Sequence, residues 1–412
     1  MGTTQIRDEI QMTYDFDTTL DHRKNGSYRW DIPDLPADVI GMGTADLDYC
    51  CAPCVREALA PIAVENCYNY RQHPELYYDA VIDWYRRNYG LAVKKEWLSN
   101  VPSTIGAVRM ALGIYAKPGD AVIVQTPVFR PLQWAVEGAD CTLIANPLKT
   151  VDGHYEIDFA DFEAKIKQHH PGLYLMVNPH NPTGRVFTRA ELERVVEICA
   201  ENSVKIVSDE VHCLILYEDA KHIPILSVNR QAQNISVQIV SLSKGYNLMS
   251  LPHAIITIAD PDMQTAWMRQ IAAYSFGYAV NSFAIAAVTS IMKGEADEWM
   301  RELTGYLGRN LREALDFIEE NRLPLVPYRP EGSFLLWIDC RDAGIGTEKL
   351  NEFFMEKAHI LLDDGEVDFG PDGRGFIRIN YAVTNQVLRE ALGRIKNIFH
   401  VESTKSAKEE SL

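Results

Sequence analysis

Four residues of different chemical type each close a short apolar run. Phe129 follows AVIVQTPV, the turn NPHNPTG (178–184) follows GLYLMV, Asp209 follows KIVS, and Lys244 follows VQIVSLS. A lysine amine forms an imine with an aldehyde once part of it is deprotonated, which desolvation and a nearby positive charge both promote. A carboxylate 35 residues earlier, on a neighbouring strand, can pair with a protonated pyridine nitrogen and keep that ring electron-poor. Singly, these residues have ordinary readings, since most lysines are solvated and most strand-end aspartates cap or form turns. Their convergence at strand ends is what points to chemistry on an aromatic aldehyde.

An anionic group on such a ring would need backbone N–H groups and hydroxyls. Ser103 and Thr104 open the helical stretch GAVRMALGIYA, which the turn KPGD stops, and a helix N-terminus there can seat an anion. Plain N-capping accounts for the same two residues. Ser241 and Ser243 lie beside Lys244 and can add hydroxyl donors. Arg378, in the alternating run GFIRINYA, faces either solvent or the cleft. In the cleft its planar fork suits bidentate binding of an α-carboxylate.

The elements that must carry these residues read as α/β. The runs AVIVQTP, GLYLMVNP, VKIVSDEV, SVQIVSLSK and HAIITIAD alternate with amphipathic stretches, the pattern of a largely parallel sheet. Between them, ELERVVEICAEN places Leu192, Val195, Val196 and Cys199 on one helical face. Ligands of open α/β sheets collect beyond the carboxyl ends of the strands, where the four residues above fall. The C-terminal part changes style, with the long helix EWMRELTGYLGRNLREALDFIEEN and the short strands SFLLWIDC and GFIRINYA, and reads as a smaller α+β lobe. No repeat or low-complexity linker separates the two, so interleaved stretches of chain build them. The final ESTKSAKEESL has no apolar face and is expected to be disordered.

Composition narrows the function. A net charge of −17 over 412 residues argues against nucleic acid and anionic lipid as partners. No stretch reaches the roughly 18 to 20 apolar residues of a membrane span, and the first residues carry no apolar leader, so a cytoplasmic protein is expected. Eight cysteines, several in apolar runs, fit reduced core thiols. Cys51 and Cys54 form a C-x-x-C without a second pair at zinc spacing, and Pro53 suits a helix start, so no metal site is expected.

The motifs SLSKGYN, NPHNPTGRVF and SDEVH resemble the lysine, asparagine and aspartate motifs of aminotransferase-like enzymes that use pyridoxal 5'-phosphate. With YDFDTTLDHRKNGSYRWD, TADLDY, KPGDAVIVQTPVFRP, SDEVHCLILY, PEGSFLLWIDCR and FIRINYA, the chain resembles the cystathionine β-lyase and cystalysin branch, the carbon-sulfur lyases, from about Tyr14 to Ile398. The resemblance implies the type I fold of such enzymes: a large domain (46–284) with a mostly parallel seven-stranded sheet, a small domain (1–45 and 285–400), and a tail at 401–412.

It also implies roles. Lys244 is the Schiff-base lysine, Asp209 pairs with the ring nitrogen, Asn181 donates to the ring hydroxyl oxygen, and Phe129 stacks on the ring. Ser103, Thr104 and Ile105 cradle the phosphate with Ser243 in support, Arg378 binds the substrate carboxylate, and Tyr70 reaches the phosphate of a neighbouring subunit, which implies a homodimer with shared sites. The reaction implied is β-elimination from cystathionine or another S-substituted cysteine, giving a thiol, pyruvate and ammonia, with transamination as the alternative on the same scaffold. Phe129, Arg130, Gly245 and Ser250 depart from the family pattern. Arg130 brings a cation that could reach the distal end of a substrate, or pair instead with a nearby acid or the cofactor phosphate.

Overall fold

The structure is a computed structural model and describes residues 13–278 and 281–409. Its main sheet has seven strands: Leu98–Val101 (β1), Ala121–Thr126 (β2), Thr142–Pro147 (β3), Leu173–Val177 (β4), Lys205–Asp209 (β5), Ser236–Val240 (β6) and Ala254–Ile258 (β7). Their spatial order is β1-β7-β6-β5-β4-β2-β3. β7 is antiparallel to β1 and β6, and the other pairings are parallel. The apolar runs become strands because both faces are covered. Leu173, Leu175 and Val177 of β4 enter one layer with Val122, Val124, Val207 and Ile239, while Tyr174 and Met176 enter the opposite layer with Ile123 and Ile206. Each such aliphatic side chain contributes about 1.5–3 kcal/mol by leaving water.

Local signals and packing agree along the flanking helices. Helix Arg189–Glu201 opens on a capping box in which Thr188 and Glu191 satisfy each other's backbone N–H. Its expected apolar face, Leu192, Val195, Val196 and Cys199, is fully buried. Pro53 takes the first position of helix Pro53–Glu65. Helix Ser282–Ser290 packs against Pro53–Glu65.

The second lobe carries the antiparallel sheet β8-β9-β11-β10, formed by Val326–Tyr328 (β8), Leu335–Asp339 (β9), Asp363–Asp364 (β10) and Phe376–Asn380 (β11). The early strand Ile40–Gly41 pairs with Ile360–Leu361, which builds the first part of the chain into this lobe. The last element runs into the C-terminal stretch that begins at Glu402. The backbone of the last helix, Asn385–Glu409, continues through most of that stretch. Upstream this helix is anchored in the core by Leu388, Ala391, Leu392 and Ile395.

Candidate active site

The strand ends converge on a cavity of about 390 Å³ whose walls include Thr104, Ile105, Phe129, Asn181, Asp209, Ser243, Lys244 and Arg378. Lys244 sits in the short helix Ser243–Tyr246 just after β6. Its Nζ donates to the carbonyl of Ala45 at 2.6 Å. Burial, with the Arg378 cation adding to it, brings the amine down to about 8. Asp209, the last residue of β5, accepts the N–H of Val211 at 3.2 Å, and burial pushes its carboxyl up to about 6. A ring cation beside it would reverse that trend. His212 lines the same cavity, with Nδ1 3.0 Å from Ser333 Oγ. Burial, aided by Lys244 and Arg378, lowers it to about 3, so it stays neutral.

Arg378 faces the cleft and is only 2% exposed. Asp363 lies directly across the β10–β11 pairing from it and accepts from both Nε (2.9 Å) and Nη2. Nη1 donates to Asn181 Oδ1 at 2.8 Å. Three of the guanidinium's five N–H groups are thereby committed, and two remain for a carboxylate. The same bond commits Asn181 Oδ1 and leaves its amide nitrogen as the donor into the cavity.

Of the two expectations for Ser103 and Thr104, N-capping is observed. Ser103 is the N-cap of helix Thr104–Tyr115, its Oγ accepting the N–H of Gly106 at 2.9 Å. The first-turn N–H groups of Thr104 and Ile105, which have no intrahelical acceptor, line the cavity. Ser243 also lines it. Ser241 sits behind, accepting the N–H of Ser243 at 3.2 Å and donating to the carbonyl of His253 at 2.7 Å. Arg130 reaches the cavity wall but is held along its own helix, Nη1 donating to Gln133 Oε1 at 2.7 Å with Glu137 at 3.8 Å. Tyr70 is 87% exposed and does not line the cavity of its own chain. Gly245 has a packing reason: a Cβ there would lie 2.7 Å from Leu214 Cδ1 and 2.9 Å from Leu214 Cβ.

These donors fit pyridoxal 5'-phosphate. There is a lowered buried amine for its aldehyde, a buried carboxylate for its ring nitrogen, an amide donor for its ring oxygen and a helix N-terminus for its phosphate. Sequence reading missed Asp363, Asp368, His212 and the Ala45 carbonyl. His212 had a signal, standing in the SDEVH motif three residues after Asp209.

The chain belongs to the class I and II aminotransferase family, which it matches over residues 37–395. It is 31% identical to the cystathionine beta-lyase PatB of Bacillus subtilis (strain 168) over 359 residues, covering 87% of this chain and 92% of that one. Crystalline cystalysin from Treponema denticola, which contains pyridoxal 5'-phosphate, superposes with a TM-score of 0.89 at 29% identity, covering 94% of this chain and 98% of its own. An aspartate aminotransferase of Pyrococcus horikoshii is 25% identical over 372 residues, covering 89% of this chain and 92% of that protein.

Proposed function

We propose that this chain is a pyridoxal 5'-phosphate-dependent carbon-sulfur β-lyase that converts S-substituted cysteines to a thiol, pyruvate and ammonia. The observation that carries the reading is Lys244, a buried amine brought down to about 8 inside a cavity that also holds Asp209, Asn181 and the helix N-terminus at Thr104. Bound there, the pyridine ring supplies an electron sink for charge developing at the substrate α-carbon. The two uncommitted N–H groups of Arg378 take the α-carboxylate and fix the rotation of the substrate. With the cofactor bound, Lys244 would be the base that takes the α-proton, and an amine near 8 is poised for that at neutral pH. Asp209 would keep a proton on the ring nitrogen, and Asn181 would donate to the ring oxygen. The β-carbon–sulfur bond then breaks, sulfur leaves as thiolate, and the aminoacrylate released is hydrolysed by water to pyruvate and ammonia.

The likeness to the aspartate aminotransferase supports a second reading, transamination, which needs the same residues with reprotonation in place of sulfur expulsion. Incubating holoenzyme with S-substituted cysteines separates the two. Pyruvate and free thiol are expected without added keto acid, and amino transfer dependent on keto acid with no thiol release would overturn the lyase reading. The proposal extends to a cytoplasmic homodimer in which Tyr70 serves the neighbouring site. In support, all eight cysteines are free thiols, and Tyr70 stands exposed near Val64, Tyr68 and Leu76, which are exposed as well.

A further inference from the structure

The cavity wall carries three cations, Lys244, Arg130 and Arg378, and three carboxylates, Asp209, Asp363 and Asp368, among the described residues. Most are committed. Lys244 and Asp209 serve the ring, Asp363 is spent on Arg378, and Arg130 is tied to Gln133 with Glu137 nearby. Asp368 differs. Its Oδ2 accepts the N–H of Asp364 at 2.8 Å, while Oδ1 has no hydrogen-bond partner among the described residues. It belongs to the short helix Gly365–Phe369. That helix is pinned to the segment before Phe129 by Gln133, whose Nε2 donates to the carbonyls of Val128 (2.8 Å) and Phe369 (2.9 Å). Two exposed rings, Tyr28 (84%) and Trp134 (55%), also line the cavity, and aromatic faces attract cations.

We propose that Asp368 determines specificity at the far end of the substrate, favouring S-substituted cysteines whose distal group is a cation such as an ammonium over neutral or anionic ones. The inference rests on the β-lyase reading for its choice of substrates. It reverses the expectation attached to Arg130, because the guanidinium already has partners and the carboxylate oxygen does not. Burial, with the Asp363 carboxylate adding to it, pushes Asp368 up to about 6. It is therefore mostly ionised at neutral pH, and an approaching ammonium relieves both effects.

The test compares three substrates of similar length on holoenzyme: S-(2-aminoethyl)-, S-(2-hydroxyethyl)- and S-(carboxymethyl)-cysteine. The aminoethyl substrate is expected to exceed the hydroxyethyl one in kcat/KM by roughly tenfold or more, a charge-assisted contact against a neutral one, with the carboxymethyl substrate lowest. Asp368→Asn, which keeps an oxygen for the Asp364 N–H, should bring the first ratio close to one. Equal efficiencies in the parent enzyme, or a ratio that survives Asp368→Asn, would overturn the proposal. Preference for the carboxymethyl substrate would overturn it as well and return the role to Arg130. If none of the three releases pyruvate, the β-lyase reading fails separately. Their dissociation constants, from spectrophotometric titration of the holoenzyme, then decide on Asp368 by the same ratio.

Discussion

Lys244 works only as a neutral amine, and its surroundings set how much of it is neutral. With a pKa of about 8, roughly a tenth is deprotonated at pH 7, against roughly one in three thousand for an ordinary lysine near 10.4. The sign follows directly: the nucleophilic fraction rises with pH and levels off above the pKa. Imine formation by apoprotein mixed with pyridoxal 5'-phosphate should therefore speed up about tenfold per pH unit below 8 and flatten above it, read by absorbance in stopped flow. Arg378→Met should move that midpoint upward, because it removes a cation that lowers Lys244 and leaves Asp363, which raises it, unpaired. A midpoint unchanged in the variant would show that Arg378 does not set the amine's charge. Borohydride reduction and peptide mapping should place the pyridoxyl label on Lys244, and Lys244→Ala should abolish it. Lys244, Asp209 and Asn181 were legible in the sequence because each closes an apolar run. Asp363 was not, since its meaning comes from lying across from Arg378 in a pairing of two lobe strands.

At the scale of elements, position near the active site depends on close approaches that tolerate little. Helix Ser243–Tyr246 can lie against Leu214 only because residue 245 has no side chain. Gly245→Ala should cost about 1–3 kcal/mol through overpacking, measured as a shift of the urea midpoint. Leu214→Ala should recover part of that cost in the double variant, and strict additivity of the two would refute the contact as the cause. The strands readable from sequence are the five central ones, whose β-branched residues are buried on both faces. The two edges, β1 and β3, passed unread: LSNV is half-covered and TLIANP begins exposed, so neither presents a continuous apolar run. The absence of any linker is the sequence signal from which interleaved lobes are expected.

For the whole molecule, the proposal of shared sites makes a prediction that no single chain can satisfy. Tyr70→Phe and Lys244→Ala proteins, each weakened alone, should regain activity when mixed and allowed to exchange subunits, because one site of the hybrid carries both lesions and the other carries neither. Proven exchange without recovery would rule out action in trans. Among the described residues, no helix is long and apolar enough to cross a membrane.

The pairing of Ile40–Gly41 with Ile360–Leu361 also sets a clock. Nearby, His359 Nδ1 meets the Asp38 carboxylate from 321 residues away, and Arg394 donates to the Asp38 carbonyl from 356 residues away. At about 5–20 residues per second, a ribosome delivers these partners on the order of 15–70 seconds after Asp38 has emerged. During that interval Val39, Ile40 and Met42, all buried in the finished fold, lack the strand Ile360–Leu361 that lies beside them. The large sheet can assemble while the chain is still being made, whereas the lobe that presents Arg378 closes last. Nascent chains stalled before residue 359 should therefore expose the Ile40 segment to protease or to a holdase, and chains released complete should protect it.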